Sequence, residues 1–124
     1  MEEYYKGEEI KFAININAPG FDIDTDDFEI EVASPRNSVK GYKDATKAED
    51  TALVIFKEES DSSDSTSDSS SSGGGGQWYG IVDTATLNTG QLRVISKAYI
   101  HDTNANDGIR VSIDVKPLAT LKNP

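Results

Sequence analysis

Two runs in the last third of this chain constrain its fold more than any other stretch. Residues 91–100 read QLRVISKAYI, residues 109–116 read IRVSIDVK, and HDTNANDG joins them. In the second run Ile109, Val111, Ile113 and Val115 alternate with Arg110, Ser112, Asp114 and Lys116. A period of two sustained this long is a β-strand with one apolar and one wet face. In the first run Leu92, Val94, Ala98 and Ile100 share a face, with Ser96 the one small polar interruption. Asp107-Gly108 closes the loop, and glycine supplies the positive φ that a tight return needs. The pair predicts a long β-hairpin at the centre of a small β-sandwich.

The rest of the chain repeats the pattern in shorter pieces. Ile10, Phe12, Ile14 and Ile16 alternate with polar or small residues until Ala18-Pro19-Gly20 ends the run. Phe28, Ile30 and Val32 alternate with Glu29 and Glu31. Residues 38–43 have only Val39 and Tyr42 to support a strand, and Gly41 weakens it, so an edge position is expected. Residues 52–56 are apolar without interruption, which points to a strand with one face against a partner or under a loop. Trp78 to Asp83 is expected to pair with it, and Leu87 to plug the edge of the core. Strands are therefore predicted at 9–17, 27–33, 38–43, 52–57, 78–83, 91–101 and 109–116. No helix-length periodicity appears. Seven short strands separated by turn clusters predict an all-β, immunoglobulin-like β-sandwich of antiparallel strands.

Domain organisation follows from composition. Residues 60–76 are Ser, Asp, Thr and Gly only. Such a segment cannot bury enough apolar surface to offset its ordering entropy, so a flexible insert is expected there. About 107 residues remain, enough for one sandwich and too few for two domains without metals or disulfides. One domain is thus predicted over residues 8–121, preceded by an N-terminal arm at 1–7 in which Tyr4 and Tyr5 are the only large groups. The chain has no cysteine, which removes a disulfide framework and a thiolate zinc site. MEEYYKGEE lacks an apolar segment, so no secretory signal is expected, and no apolar run approaches a membrane span.

The net charge is −10, and it is unevenly placed. Residues 1–59 carry 15 acids and 7 bases, whereas residues 77–124 carry four acids and five bases. Nucleic-acid binding needs a basic footprint, so no nucleic-acid partner is expected. Two acidic stretches invite a calcium reading. Asp22, Asp24 and Asp26 recur at every second residue, but Asp27 stands where a calcium loop needs glycine and Ala33 where it needs its last ligand. Asp102, Asn104, Asn106 and Asp107-Gly108 are also what an ordinary hairpin turn uses. His101 is the single histidine, and no G-x-S-x-G elbow is present, so no catalytic residue, metal ligand or cofactor is assigned.

One resemblance covers most of the chain. Phe12, Pro19-Gly20-Phe21, Asp27-Phe28, Asp83-Thr84, Gly90, Tyr99, Asp102 and Asp107-Gly108-Ile109-Arg110 carry it, across residues 7–116. This pattern resembles the small immunoglobulin-like β-sandwich proteins of the structural gene blocks of tailed phages that infect Bacteroidetes, crAss-like phages and related prophages included. The Ser/Gly insert departs from it, because that connection is short and polar in the family. The resemblance implies a non-enzymatic structural protein of the virion, made in the host bacterial cytoplasm and placed on the head, a head fibre or the tail. Its partners would be other virion proteins or copies of itself, with no nucleic acid and no membrane. Tyr4, Tyr5, Val54 and Phe56 are the candidate interface residues. The alternative is a carbohydrate- or cell-surface-binding sandwich, calcium-assisted in one form, for which Trp78, Tyr79, Tyr42 and Tyr99 are the aromatic candidates.

Overall fold

The structure, a computed structural model, describes residues 2–47, 52–58 and 76–124. The predicted insert lies outside the described residues except for its last glycine. Among the described residues there are eight strands: β1 (Glu3–Tyr5), β2 (Glu9–Ala13), β3 (Asp27–Ala33), β4 (Ser38–Tyr42), β5 (Leu53–Glu58), β6 (Gln77–Asp83), β7 (Gly90–His101) and β8 (Ile109–Lys122). Two single 3-10 turns, Ala45–Lys47 and Thr84–Thr86, complete the regular structure of the described residues. No helix among the described residues is long and apolar enough to cross a membrane.

The strands form two sheets. One has the order β1-β8-β7-β3-β4 and the other β2-β6-β5. All pairings are antiparallel except β1 with β8, which is parallel, so the five-stranded sheet is mixed. Ile10, Leu53 and Val82 of the small sheet pack against Phe28, Ile30, Val32, Val39, Leu92 and Leu121 of the large one in a single buried cluster. That arrangement is consistent with a β-sandwich. Leu87 is fully buried and plugs one edge of the core, as the apolar pattern implies. Gly41 is buried because the two sheets approach closely there: a Cβ at that position would lie 2.7 Å from Leu53 and 2.9 Å from Ile55. The glycine that weakens β4 as an isolated strand is thus what lets the facing sheet seat, and β4 does occupy an edge.

Three expectations need correction. The first is the N-terminal arm. Glu3 to Tyr5 pair with Thr120 to Lys122, and Tyr4 packs half-buried against the core cluster. The arm is an eighth strand inside the sheet, because the last strand runs on past Lys116 to Lys122 and offers it an edge. The second is the strand at 9–17. The β2 ladder stops at Ala13; Ile14 still bonds Trp78 O through its amide at 2.9 Å and stays buried, after which the chain leaves the sheet for the Pro19-Gly20 turn. The third concerns faces. A strand with one apolar face at the centre of a sandwich should turn that face inward. In β8 the reverse holds: Val111, Ile113 and Val115 point outward.

Candidate functional site

The reversal in β8 has a local cause. Leu92 pairs with Ala119 but Arg93 pairs with Pro117, so one strand holds an extra residue, Leu118, and the ladder carries a β-bulge there. Since side chains alternate with period two, one extra residue exchanges the faces of everything beyond it. Ala119 and Leu121 are buried, whereas the odd-numbered residues before the bulge lie on the outer surface of the sheet. The inner side of β8 before the bulge is taken by Arg110, Ser112, Asp114 and Lys116, opposite Ile100, Ala98, Ser96 and Val94 of β7.

The result is an apolar row at a sheet edge. Val111 is 50% exposed, Ile113 59% and Val115 52%. Behind them across the ladder stand Tyr99, Lys97 and Ile95, half-buried on the same outer face. Beside them β8 has no neighbour among the described residues until β1 meets it at Thr120.

Backbone groups follow the same division. The Asp102 amide donates to Gly108 O at 3.0 Å, and the pairs continue in step from His101 with Ile109. Hydrogen-bonded and non-hydrogen-bonded pairs alternate in an antiparallel ladder. Arg110, Ser112, Asp114 and Lys116 therefore bond to β7, while Ile109, Val111, Ile113 and Val115 direct their amides and carbonyls over the open edge. Past the bulge the phase switches. The Thr120 amide donates to Glu2 O at 2.9 Å, and Lys122 O accepts from the Lys6 amide at 2.8 Å.

The hairpin loop that sets this edge is pinned at its base. Arg110 Nε donates to Asp102 Oδ2 at 3.0 Å, and its Nη2 donates to Pro19 O at 2.9 Å. The Asn104 amide donates to Asp102 Oδ1 at 3.0 Å. That bond and then the Arg110 guanidinium hold the Asp102 carboxyl below the ordinary carboxylate range. Gly108 has φ +74°, as a tight return requires.

The other candidate residues fall in separate places. His101 is exposed, and its Nδ1 meets buried Asp26, not Asp102, at 2.8 Å. The Asp22 amide donates to Asp26 Oδ2 at 3.0 Å. That bond first, and His101 second, lower the Asp26 pKa. No serine hydroxyl is bonded to the imidazole among the described residues. The Asp22, Asp24 and Asp26 carboxylates diverge: Asp22 takes the Asp24 amide at 3.0 Å, and Asp24 takes Lys57 Nζ at 3.0 Å and Trp78 Nε1 at 3.1 Å. Among the described residues no group of three acidic or histidine side chains is placed to hold a metal ion.

Val54 and Phe56 come together on the outer face of the small sheet. Val54 is exposed; Phe56 stacks on Tyr79 with centroids 5.9 Å apart, and Lys11 Nζ lies 4.4 Å over the Tyr79 ring. Tyr4 and Tyr5 belong to the other sheet, and of the two only Tyr5 is exposed. The four candidate interface residues thus do not form one surface. The aromatic candidates divide as well. Tyr42 and Tyr99 line an open groove of about 500 Å³ with Asp27, Glu29 and His101. Trp78 sits edge-on to Phe28 at 5.5 Å on a different opening of about 400 Å³. Burial, then the Glu29 carboxylate, push the Tyr99 phenol upward.

Val111, Ile113 and Val115 are the surface residues that pattern reading misses, because alternation alone assigns them to a core. One signal was available: Pro117 has no amide to give a ladder, and proline within a strand marks an edge or a bulge. No protein-family model matches the chain, and no curated protein or solved structure is significantly similar to it.

Proposed function

We propose that this chain is a non-enzymatic assembly module, an immunoglobulin-like structural component of a phage particle that works by binding other virion proteins or further copies of itself. The observation that carries the reading is the row Val111, Ile113 and Val115, half or more exposed, on the stretch of β8 before Thr120, whose outer edge is unpaired among the described residues. Inward-pointing charges, a proline and a bulge are devices that blunt edges, and Arg110, Asp114, Lys116, Pro117 and the bulge supply them on this strand. None covers the outer face, whose exposed apolar row is a docking surface held for a partner. Strand order supports the immunoglobulin-like reading. The neighbours β8-β7-β3-β4 and β2-β6-β5 follow the G-F-C-C′ and B-E-D orders of that fold. The resemblance over residues 7–116 supports the virion placement.

Quantitative proteomics of purified particles tests this reading. The chain is expected at a fixed copy number per particle, and an Ile113→Lys version expressed in its place is expected to be depleted. Particles that lack the wild-type chain, or that take up the Lys version equally, overturn it. Carbohydrate binding is the second reading, favoured by the groove that brings Tyr42 and Tyr99 beside Asp27 and Glu29. Glycan-array binding lost on Tyr99→Ala and kept on Ile113→Lys would favour that reading over assembly.

A further inference from the structure

We propose that two copies of this chain join edge to edge through antiparallel pairing of β8 with β8, with Ser112 of one copy opposite Ser112 of the other. The proposal rests on the assembly reading and names the partner of its open edge. Two-fold symmetry makes such an interface self-complementary, so one strand must satisfy itself when reversed. Outward-directed backbone groups must then meet outward-directed groups. Ile109, Val111, Ile113 and Val115 supply them, and the even-numbered residues between them do not.

Few registers meet that condition, and charge selects among them. Centring the axis on Ile113 sets Arg110 against Lys116 of the second copy and brings Pro117, which has no amide, into the ladder. An axis on Asp114 opposes two carboxylates. An axis on Ser112 sets Arg110 against Asp114 twice, once on each side of the axis. It also lets Val111 exchange bonds with Ile113, and Ile109 with Val115. Opposite charges directly across a strand pair are stabilising and like charges are not. In this register the pair that faces itself is two serines, small and neutral.

The ends of the window also fit. The ladder runs from Ile109 to Val115, bounded by the hairpin loop on one side. On the other, the second copy's β1 does not begin until its Thr120. The outer faces of the two copies then present their valine and isoleucine rows side by side, so apolar area is shared across the junction. Five strands from each copy make one continuous sheet.

Cysteine chemistry tests the register directly, because the chain has no cysteine of its own. Even-numbered residues fall at non-hydrogen-bonded pairs, where Cα atoms are about 4.5 Å apart, within the span a disulfide bridges. Ser112→Cys is expected to form a disulfide-linked dimer under mild oxidation about 10-fold or more faster than a Thr46→Cys control, because prior pairing raises the effective thiol concentration. Adding Ile113→Pro removes one outward amide without removing a bond to β7, and should return the rate to the control level. In sedimentation, Arg110→Glu alone and Asp114→Arg alone should each stay monomeric. An equimolar mixture of the two should pair, because each copy then meets an opposite charge at both positions.

Equal cross-linking of Ser112→Cys and the control, with wild type monomeric at all concentrations, overturns the proposal. So does cross-linking of Ser112→Cys to a different protein, which would assign the edge to a foreign strand. In either case, depletion of Ile113→Lys from particles would leave the assembly reading standing. A Ser112-linked dimer of a chain absent from particles would leave the dimer and remove that reading.

Discussion

The two halves of β8 obey one sequence rule and two opposite fates. From Ile109 to Leu121 every odd-numbered position is Ile, Val, Pro, Ala or Leu. Before the bulge at Leu118 those side chains face out; after it they face in, where Ala119 and Leu121 are buried. The difference is not chemical, since valine and isoleucine are as apolar as the residues that are buried. It is a matter of phase, set by one extra residue. A strand's apolar pattern therefore states that it has an apolar face, and the pairing register decides whether that face lies in the core or on the surface.

Four measurements break or sharpen this comparison. The largest effect is expected at the buried half. Leu121→Ala removes a side chain only 1% exposed and should cost about 2–5 kcal/mol in denaturant unfolding, as core leucine truncations do. A cost under about 1 kcal/mol would mean that the second half is not seated as described.

Next comes the turn that starts the strand. Gly108 has φ +74°, and a Cβ there meets no neighbouring atom within 4 Å, so Gly108→Val is a test of backbone conformation alone. A β-branched residue at that φ should cost on the order of 1–3 kcal/mol. A melt that hardly moves would mean that residue 108 does not hold the left-handed conformation on which the described hairpin depends.

Acid should separate the two halves more gently. The Asp102 pKa is lowered in the fold by the Asn104 amide and then Arg110. A depressed carboxylate contributes stability that is present above its unfolded pKa, near 4, and lost as pH falls through the folded value. Amide protection at Arg110 and Ser112, the first amides of β8 that bond to β7, corrected for intrinsic exchange, should therefore weaken below about pH 4. Asp102→Asn should show that weakened protection already at neutral pH, with residues 119–122 alike in the two proteins. Protection lost equally in both halves would show that the loop pin does not act locally.

The smallest effect is expected on the outer row. Ile113→Ala should change monomer stability by no more than about 0.5 kcal/mol, because the side chain is mostly in solvent already. A loss as large as that of Leu121→Ala would place Ile113 in a core and cancel the contrast.

Much of the fold was legible in the chain. The strands at 27–33, 38–42, 53–58, 77–83 and 90–101 lie within a residue or so of their predicted bounds, because alternation and turn residues are local signals. The Gly108 turn and the Leu87 plug were equally readable. The continuous apolar run at 52–56 does form a strand, with Leu53 buried and Val54 exposed on the outer face. The candidate surface was legible in composition and misread in orientation. Nothing near Glu3 to Tyr5 announces that a parallel partner waits at Thr120 to Lys122, more than a hundred residues away.

By itself, then, the sequence determined that this protein is built of strands, where most of them start and stop, that a tight hairpin closes at Gly108, and that β8 carries an apolar face. Only the tertiary structure decided that the face of Val111, Ile113 and Val115 is turned outward, that the N-terminal residues close one edge of the large sheet, and that the rest of that edge stays open. The physical reason is range. Propensity, alternation and turn chemistry act over a few neighbouring residues, whereas register, bulge position and edge exposure are properties of pairs of strands distant in the chain.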